Sequence, residues 1–177
     1  MEHGRWILAL TFVALAGWID WRSRRIPNWL TVPALFIGLG FNTAVGGWVG
    51  AKSGLLGALL MLALLLPLVL LRALGAGDWK LMGALGSFLG PALIFLVFVG
   101  TIFVTGMMAL IQVIRLRRVR TTLVNMGELV RGFFVYGLAP HPVIRLDNPQ
   151  QLSLPYGVAV AAATALCYGA GLALTGF

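Results

Sequence analysis

Long apolar stretches separated by short polar breaks organise this chain. Trp6–Ile19, Trp29–Val49, Gly54–Leu71, Ala92–Ile114 and Pro155–Leu174 carry no charged residue, and a shorter apolar stretch, Trp79–Leu89, lies between the third and the fourth of these. A helix needs about 20 apolar residues to cross a bilayer's hydrocarbon core. The pattern therefore predicts an all-α, polytopic membrane bundle of about six helices, one of them short, in a single domain over residues 1–177. At roughly 1.5 Å per residue the short stretch reaches only about 16 Å, against a core of about 30 Å. It is expected to be short or half-inserted, with a break at Gly90–Pro91, because proline lacks the amide that a helix interior uses. Within the polar loop that follows, Leu123, Met126, Val130, Phe133 and Phe134 recur at helical spacing over Val119–Gly137. That spacing predicts an amphipathic helix lying on the inner leaflet.

Composition agrees with the pattern. Of 177 residues, 60% are hydrophobic and 10% charged, and the mean hydropathy is +0.96, which a water-soluble domain of this size does not support. The net charge of +8 then gives orientation. All Lys and Arg residues except Arg5 and Lys52 fall in the first, third and fifth loops. Basic loops stay in the cytoplasm, so both chain ends are expected outside. An alternative reading takes the apolar stretch after "MEHGR" as a secretory signal cut after Ala16. It would send Arg22, Arg24 and Arg25 across the membrane, and a retained first helix fits the charge better. The basic residues belong to no recognisable nucleic-acid-binding module, so no nucleic-acid partner is expected. The single cysteine, Cys167, rules out an internal disulfide and a cysteine-based zinc site, and no metal or cofactor is expected.

Against this background the chain's five acidic residues stand out. Asp20 ends the first apolar stretch and Asp78 begins the short one, Trp79–Leu89, so both fall at the same, cytoplasmic, boundary. Locally, Asp78 reads as the N-cap of a helix starting at Trp79, and Asp20 as an interfacial partner of the nearby arginines. Neither reading accounts for the pair, and a cap does not need Gly75 and Gly77, which allow another backbone to come close. Two neighbouring carboxyls cannot easily both ionise and tend to share a proton. The ionised one can take a proton from water while the other donates to a peptide carbonyl, so the pair points to an aspartyl protease. Paired acids also occur in small proton or cation carriers, although such a relay needs an acid at mid-membrane, where this chain has none.

Three stretches carry a family resemblance: "DWRSRRIPNWLT" (Asp20–Thr31), "GAGDWKL" (Gly75–Leu81) and "LPYGVAVA" (Leu154–Ala161). In order, spacing and six-segment plan the chain resembles the type IV prepilin peptidases. The GxGD stretch also occurs in presenilin and signal-peptide-peptidase enzymes, from which the IPN stretch separates it. The resemblance implies an inner-membrane aspartyl endopeptidase that removes the short basic leader of prepilins and pseudopilins, with the bilayer as its other partner. It implies Asp20 and Asp78 as the catalytic pair, and Gly75, Gly77, Lys80, Pro27 and Asn28 as motif positions that bind substrate or shape the site. Lys80 reads equally well as a positive anchor at the inner face, and Pro27 and Asn28 as the turn into the second helix. Longer family members carry a cytoplasmic domain with paired CxxC motifs that methylates the new amino terminus. This chain resembles the short forms found with Flp (tight-adherence) pili and in archaeal preflagellin processing, so cleavage without methylation is expected. A pilus-assembly subunit that kept the fold without catalysis is the remaining alternative. Nothing in the sequence fixes an oligomeric state.

Overall fold

The computed structural model describes residues 2–71, 74–116 and 155–175. These residues form four α-helices and no strand: α1 (Glu2–Ser23), α2 (Asn28–Leu70), α3 (Ala76–Arg115) and α4 (Tyr156–Thr175). By length and composition, α2 and α3 can each cross a membrane. The amphipathic helix expected over Val119–Gly137 lies outside the described residues.

Two glycines break the long helices. Gly47 sits at φ 55° inside α2, a backbone region that side chains with a Cβ rarely enter. Beyond it the chain folds back on itself. A Cβ on Gly54 would lie 3.3 Å from the Leu39 side chain and 3.5 Å from Asn42, residues that a straight helix would hold about 20 Å away. Gly90, at φ 75°, does the same in α3, and Pro91 behind it cannot donate the helix hydrogen bond. The second part of α3 then runs antiparallel to α4. Gly100 faces Ala163 and Cys167, and the Cys167 thiol points to the Leu96 carbonyl at 4.0 Å. Four helices thus contain six straight segments. The stretches expected at Trp29–Val49 and Gly54–Leu71 are the two arms of α2, and the break expected at Gly90–Pro91 falls at Gly90.

The short segment is the centre of the molecule. It begins earlier than expected, at Ala76, and runs to the break, about 21 Å at 1.5 Å per residue. Every residue from Leu81 to Gly90 is buried. Such burial needs close backbone approach, and Gly57 of α2 and Gly86 of α3 pack directly on one another's backbone. On another side the rings of Phe12 in α1 and Phe88 stack with centroids 5.8 Å apart. The break at Gly90 leaves the segment's last carbonyls without helical partners. Asn42 fills that need: its Nδ2 donates to the Ser87 carbonyl at 2.7 Å and to the Phe88 carbonyl at 2.9 Å. At the other end the Trp79 indole donates to the Leu62 carbonyl at 2.8 Å. The outward faces are apolar, with Phe36, Ile37, Leu55, Leu59, Phe103 and Leu166 all exposed.

Asn42→Leu keeps the branched shape of the side chain and removes both donors, leaving two buried carbonyls unpaired. It should destabilise the protein by about 2 kcal/mol, read as a lower thermal midpoint in detergent. An unchanged midpoint would show that the broken end of the segment needs no cap.

Candidate functional site

Asp20 inherits the inward face of α1. Trp6, Ala9, Val13 and Ala16 are buried at helical spacing, and the next position on that stripe is Asp20, which is only 5% exposed. The helix stops just beyond it. Arg24 takes a left-handed conformation (φ 50°) and its amide donates to the Asp20 carbonyl at 2.8 Å, a common way to end a helix. The Ser23 hydroxyl secures the same turn through the carbonyls of Ile19 (2.8 Å) and Arg25 (3.0 Å).

Asp78 enters from the start of α3. The helix begins at Ala76 with Gly75 in the cap position, and the Trp79 amide bonds the Gly75 carbonyl at 3.1 Å. This corrects the reading of Asp78 as a cap for a helix beginning at Trp79. Asp78 lies within the first turn, and its carboxylate reaches back to accept the Gly75 amide. That is one half of a capping box. A Cβ on Gly75 would stand 3.0 Å from Asp78 Oδ2, so the glycine keeps this approach open.

The start of α4 completes the cluster. The amides of Val158 and Ala159 bond the Pro155 carbonyl at 3.2 and 3.4 Å, which starts the helix and leaves the Gly157 amide without a helical acceptor. That amide donates to Asp20 Oδ2 at 2.8 Å. A Cβ on Gly157 would lie 3.0 Å from Asp20 Cβ and 3.2 Å from Oδ2. Tyr156 packs against the core and lies within electrostatic range of Asp78. Asp78 in turn feels the charge of Asp20. Three helix ends, far apart in sequence, therefore bring two carboxylates within electrostatic range of one another.

The remaining motif residues support this arrangement from the side. Pro27, extended at φ −77° and ψ 147°, precedes the first residue of α2, and its carbonyl accepts the amides of Leu30 (3.2 Å) and Thr31 (3.4 Å). Lys80 Nζ donates to Asn28 Oδ1 at 3.0 Å, tying the start of α2 to the first turns of α3. The two glycines answer to different neighbours. Gly75 faces the Asp78 carboxylate, whereas a Cβ on Gly77 would lie 3.3 Å from Ile26. Gly77 thus admits Ile26 of the turn rather than opening a cleft. Among the described residues no three His, Cys, Asp or Glu side chains gather as metal ligands would.

Tyr156 and Gly157 fall in the "LPYGVAVA" stretch and Ile26 in the IPN stretch, but the sequence attaches no role to any of the three; the proline ahead of an apolar helix marks a helix start and its free amides, not what those amides face.

The profile of the type IV leader peptidase family matches residues 7–110, a span that includes both aspartates. Among curated proteins, the prepilin leader peptidase/N-methyltransferase of Neisseria gonorrhoeae is 32% identical over 138 residues, 73% of this chain and 47% of that protein. The protein of the same name from Dickeya chrysanthemi is 42% identical over 85 residues, 45% of this chain and 30% of its own length. The one from Aeromonas salmonicida is 37% identical over 116 residues, 58% and 40% of the two chains. The aligned part is less than half the length of each of these relatives. No solved structure gives a significant match. With a profile that covers more than half of its residues, the chain belongs to the type IV leader peptidase family.

Proposed function

We propose that this chain is a leader peptidase of the cytoplasmic membrane, with Asp20 and Asp78 as its catalytic pair and prepilins or pseudopilins as substrates. The reading is supported by two carboxylates at one end of the bundle, within electrostatic range of one another and each accepting a backbone amide. The names of the relatives support the substrate class. One carboxylate, ionised, takes a proton from a water molecule, whose oxygen bonds the scissile carbonyl carbon. The other, protonated, gives its proton to the carbonyl oxygen as the tetrahedral intermediate forms. Collapse breaks the carbon–nitrogen bond: the proton held by the first carboxylate passes to the leaving amine, and a hydroxyl proton of the intermediate returns to the second carboxylate as the carbonyl re-forms. Amino-terminal methylation is not part of the proposed activity.

The six straight segments are read as six crossings, the central one shortened. Arg22, Arg24, Arg25, Lys80 and Arg115 lie at the end that holds the aspartates, whereas Arg5 and Lys52 lie toward the other. The positive-inside rule then puts the aspartates at the cytoplasmic face and both termini outside. A substrate whose apolar helix is already in the bilayer would present its basic leader at this face.

Asp20→Asn or Asp78→Asn keeps size and hydrogen bonding but cannot cycle a proton. Each should reduce leader removal from a co-expressed prepilin at least a hundredfold with normal protein abundance. Near-normal processing by either variant would remove the pair from catalysis, and a wild-type chain with no processing at all would favour the carrier or assembly reading.

Topology has its own test. In a Cys167→Ala background, Gly46→Cys lies beside the Gly47 break, where an added Cβ meets nothing within 4 Å. It should react with an impermeant maleimide outside intact cells. Ser23→Cys, at the aspartate end, should react only after the inner face is opened. The reverse pattern would place the pair on the wrong side for a cytoplasmic leader.

A further inference from the structure

The two carboxyls are held in different ways. Asp78 accepts the Gly75 amide from its own first turn, so its placement follows from α3 itself. Asp20 is held from outside its helix: its Oδ2 accepts the Gly157 amide at 2.8 Å, across 137 residues of chain. Where Asp20 points therefore depends on where α4 stands. Contacts at two levels pin α4 to α1. Away from the aspartates, the Tyr168 hydroxyl lies 3.2 Å from His3 Nδ1, and its ring packs on that of Trp6 with centroids 5.5 Å apart. Beside the aspartates, a Cβ on Gly17 would lie 3.2 Å from the Gly157 carbonyl oxygen and 3.4 Å from Ala161 Cβ, so the two helices meet there at backbone distance. The Gly157 amide thus reaches Asp20 as a donor at a fixed point. Such a donor settles the rotamer of the aspartate side chain. It does so for a neutral or an ionised carboxyl alike, because either offers an acceptor oxygen.

We propose that Gly157 is a positioning residue: its main-chain amide, placed by the packing of α4 on α1, holds the Asp20 carboxyl in line for the reaction it shares with Asp78. The residue type follows from the same contact. A Cβ on Gly157 would lie 3.0 Å from Asp20 Cβ, 3.2 Å from Asp20 Oδ2 and 3.4 Å from the Ala16 carbonyl oxygen. The Ala16 oxygen belongs to the α1 backbone and Asp20 Cβ is bonded directly to it, so neither can swing aside as the far end of a long side chain would. Even alanine at this position must shift α4 against α1 at the point where the hydrogen bond is made. Glycine leaves the amide in reach of the carboxyl.

The inference rests on the proteolytic reading, and its test separates the amide from the size of the residue. Glycolic acid installed at position 157 by cell-free translation into nanodiscs turns the Tyr156–Gly157 amide into an ester. The change removes the donor and adds no Cβ, and it breaks no hydrogen bond within α4, because that amide has no helical acceptor. With a prepilin peptide as substrate, kcat should fall at least about tenfold, with KM within about twofold of wild type. Gly157→Ala should lose kcat in the same way. The hydroxy-acid analogue of valine at position 158 removes the neighbouring amide, which bonds Pro155 rather than Asp20, and should leave kcat within about twofold of wild type. Full activity of the ester at 157 or of Gly157→Ala would overturn the proposal. Equal losses from the esters at 157 and 158 would also overturn it, by making the loss one of helix stability. A rise in KM with kcat unchanged would make Gly157 a substrate contact instead. A second measurement needs no turnover. In protein carrying isotopically labelled glycine, the amide signal missing from the ester at 157 belongs to Gly157, and its hydrogen exchange should speed up at least about tenfold in Asp20→Ala. Unchanged exchange would show that Asp20 is not its partner and overturn the proposal. Faster exchange in a chain that cleaves no prepilin would keep the hold of α4 on Asp20 and remove the peptidase reading.

Discussion

The arrangement depends on the burial of one short helical segment, Ala76–Leu89. Its nine residues from Leu81 to Leu89, and Gly90 at the break, are all buried. A fully enclosed helix has no freedom to slide or rotate, so its first turn is fixed in space, and with it Asp78. The enclosure is possible because Gly57 and Gly86 let two backbones touch. It is tolerable because Asn42 satisfies the carbonyls exposed by the break at Gly90. An uncapped helix end inside an apolar medium would cost several kcal/mol in unpaired groups. The central helix therefore acts as the frame against which the other helix ends are measured.

Around this frame the site is assembled from ends rather than middles. Asp20 lies in the last turns of α1, Asp78 in the first of α3, and Gly157 in the first of α4. Helix ends carry unpaired backbone groups, and here two of the free amides are used to hold carboxylates. The same economy appears beside the site, where Lys80 bonds Asn28 and Gly77 admits Ile26. Those contacts join the turn before α2 to the start of α3. Motif residues that the sequence marks as substrate-binding or site-shaping positions thus touch one another or their neighbours in the turn.

Much of this was legible in the sequence, for particular reasons. Charge-free runs announced the helices, and Gly90–Pro91 announced a break because a proline after a glycine stops a helix by covalent geometry alone. The sharp reversal at Gly47 was less visible, since "GG" between two apolar runs fits a loop as well as a tight turn. Asp20 and Asp78 could be paired from the membrane boundary they share. The Gly157 contact could not, because it depends on how α4 packs against α1, and nothing local to "LPYGVAVA" encodes a partner in the first helix. The local alternative of Asp78 as an N-cap fails because its helix starts at Ala76, inside the glycine-rich stretch, where propensity argues against a helix and packing overrides it. The helix expected over Val119–Gly137 falls outside the described residues.

The central claim is that the ends of α1 and α3 hold positions 20 and 78 side by side. Pairing Asp20→Cys with Asp78→Cys, in a chain whose Cys167 is replaced by alanine, tests it most directly. In native membranes the shortest bifunctional thiol reagents should bridge the two positions within one molecule. Cleavage in the loop between them, which separates the fragments of an unbridged chain on a denaturing gel, should then leave the chain in one piece. If each thiol instead takes up its own reagent and the fragments separate, the two positions are apart in the membrane and the account of this site is wrong.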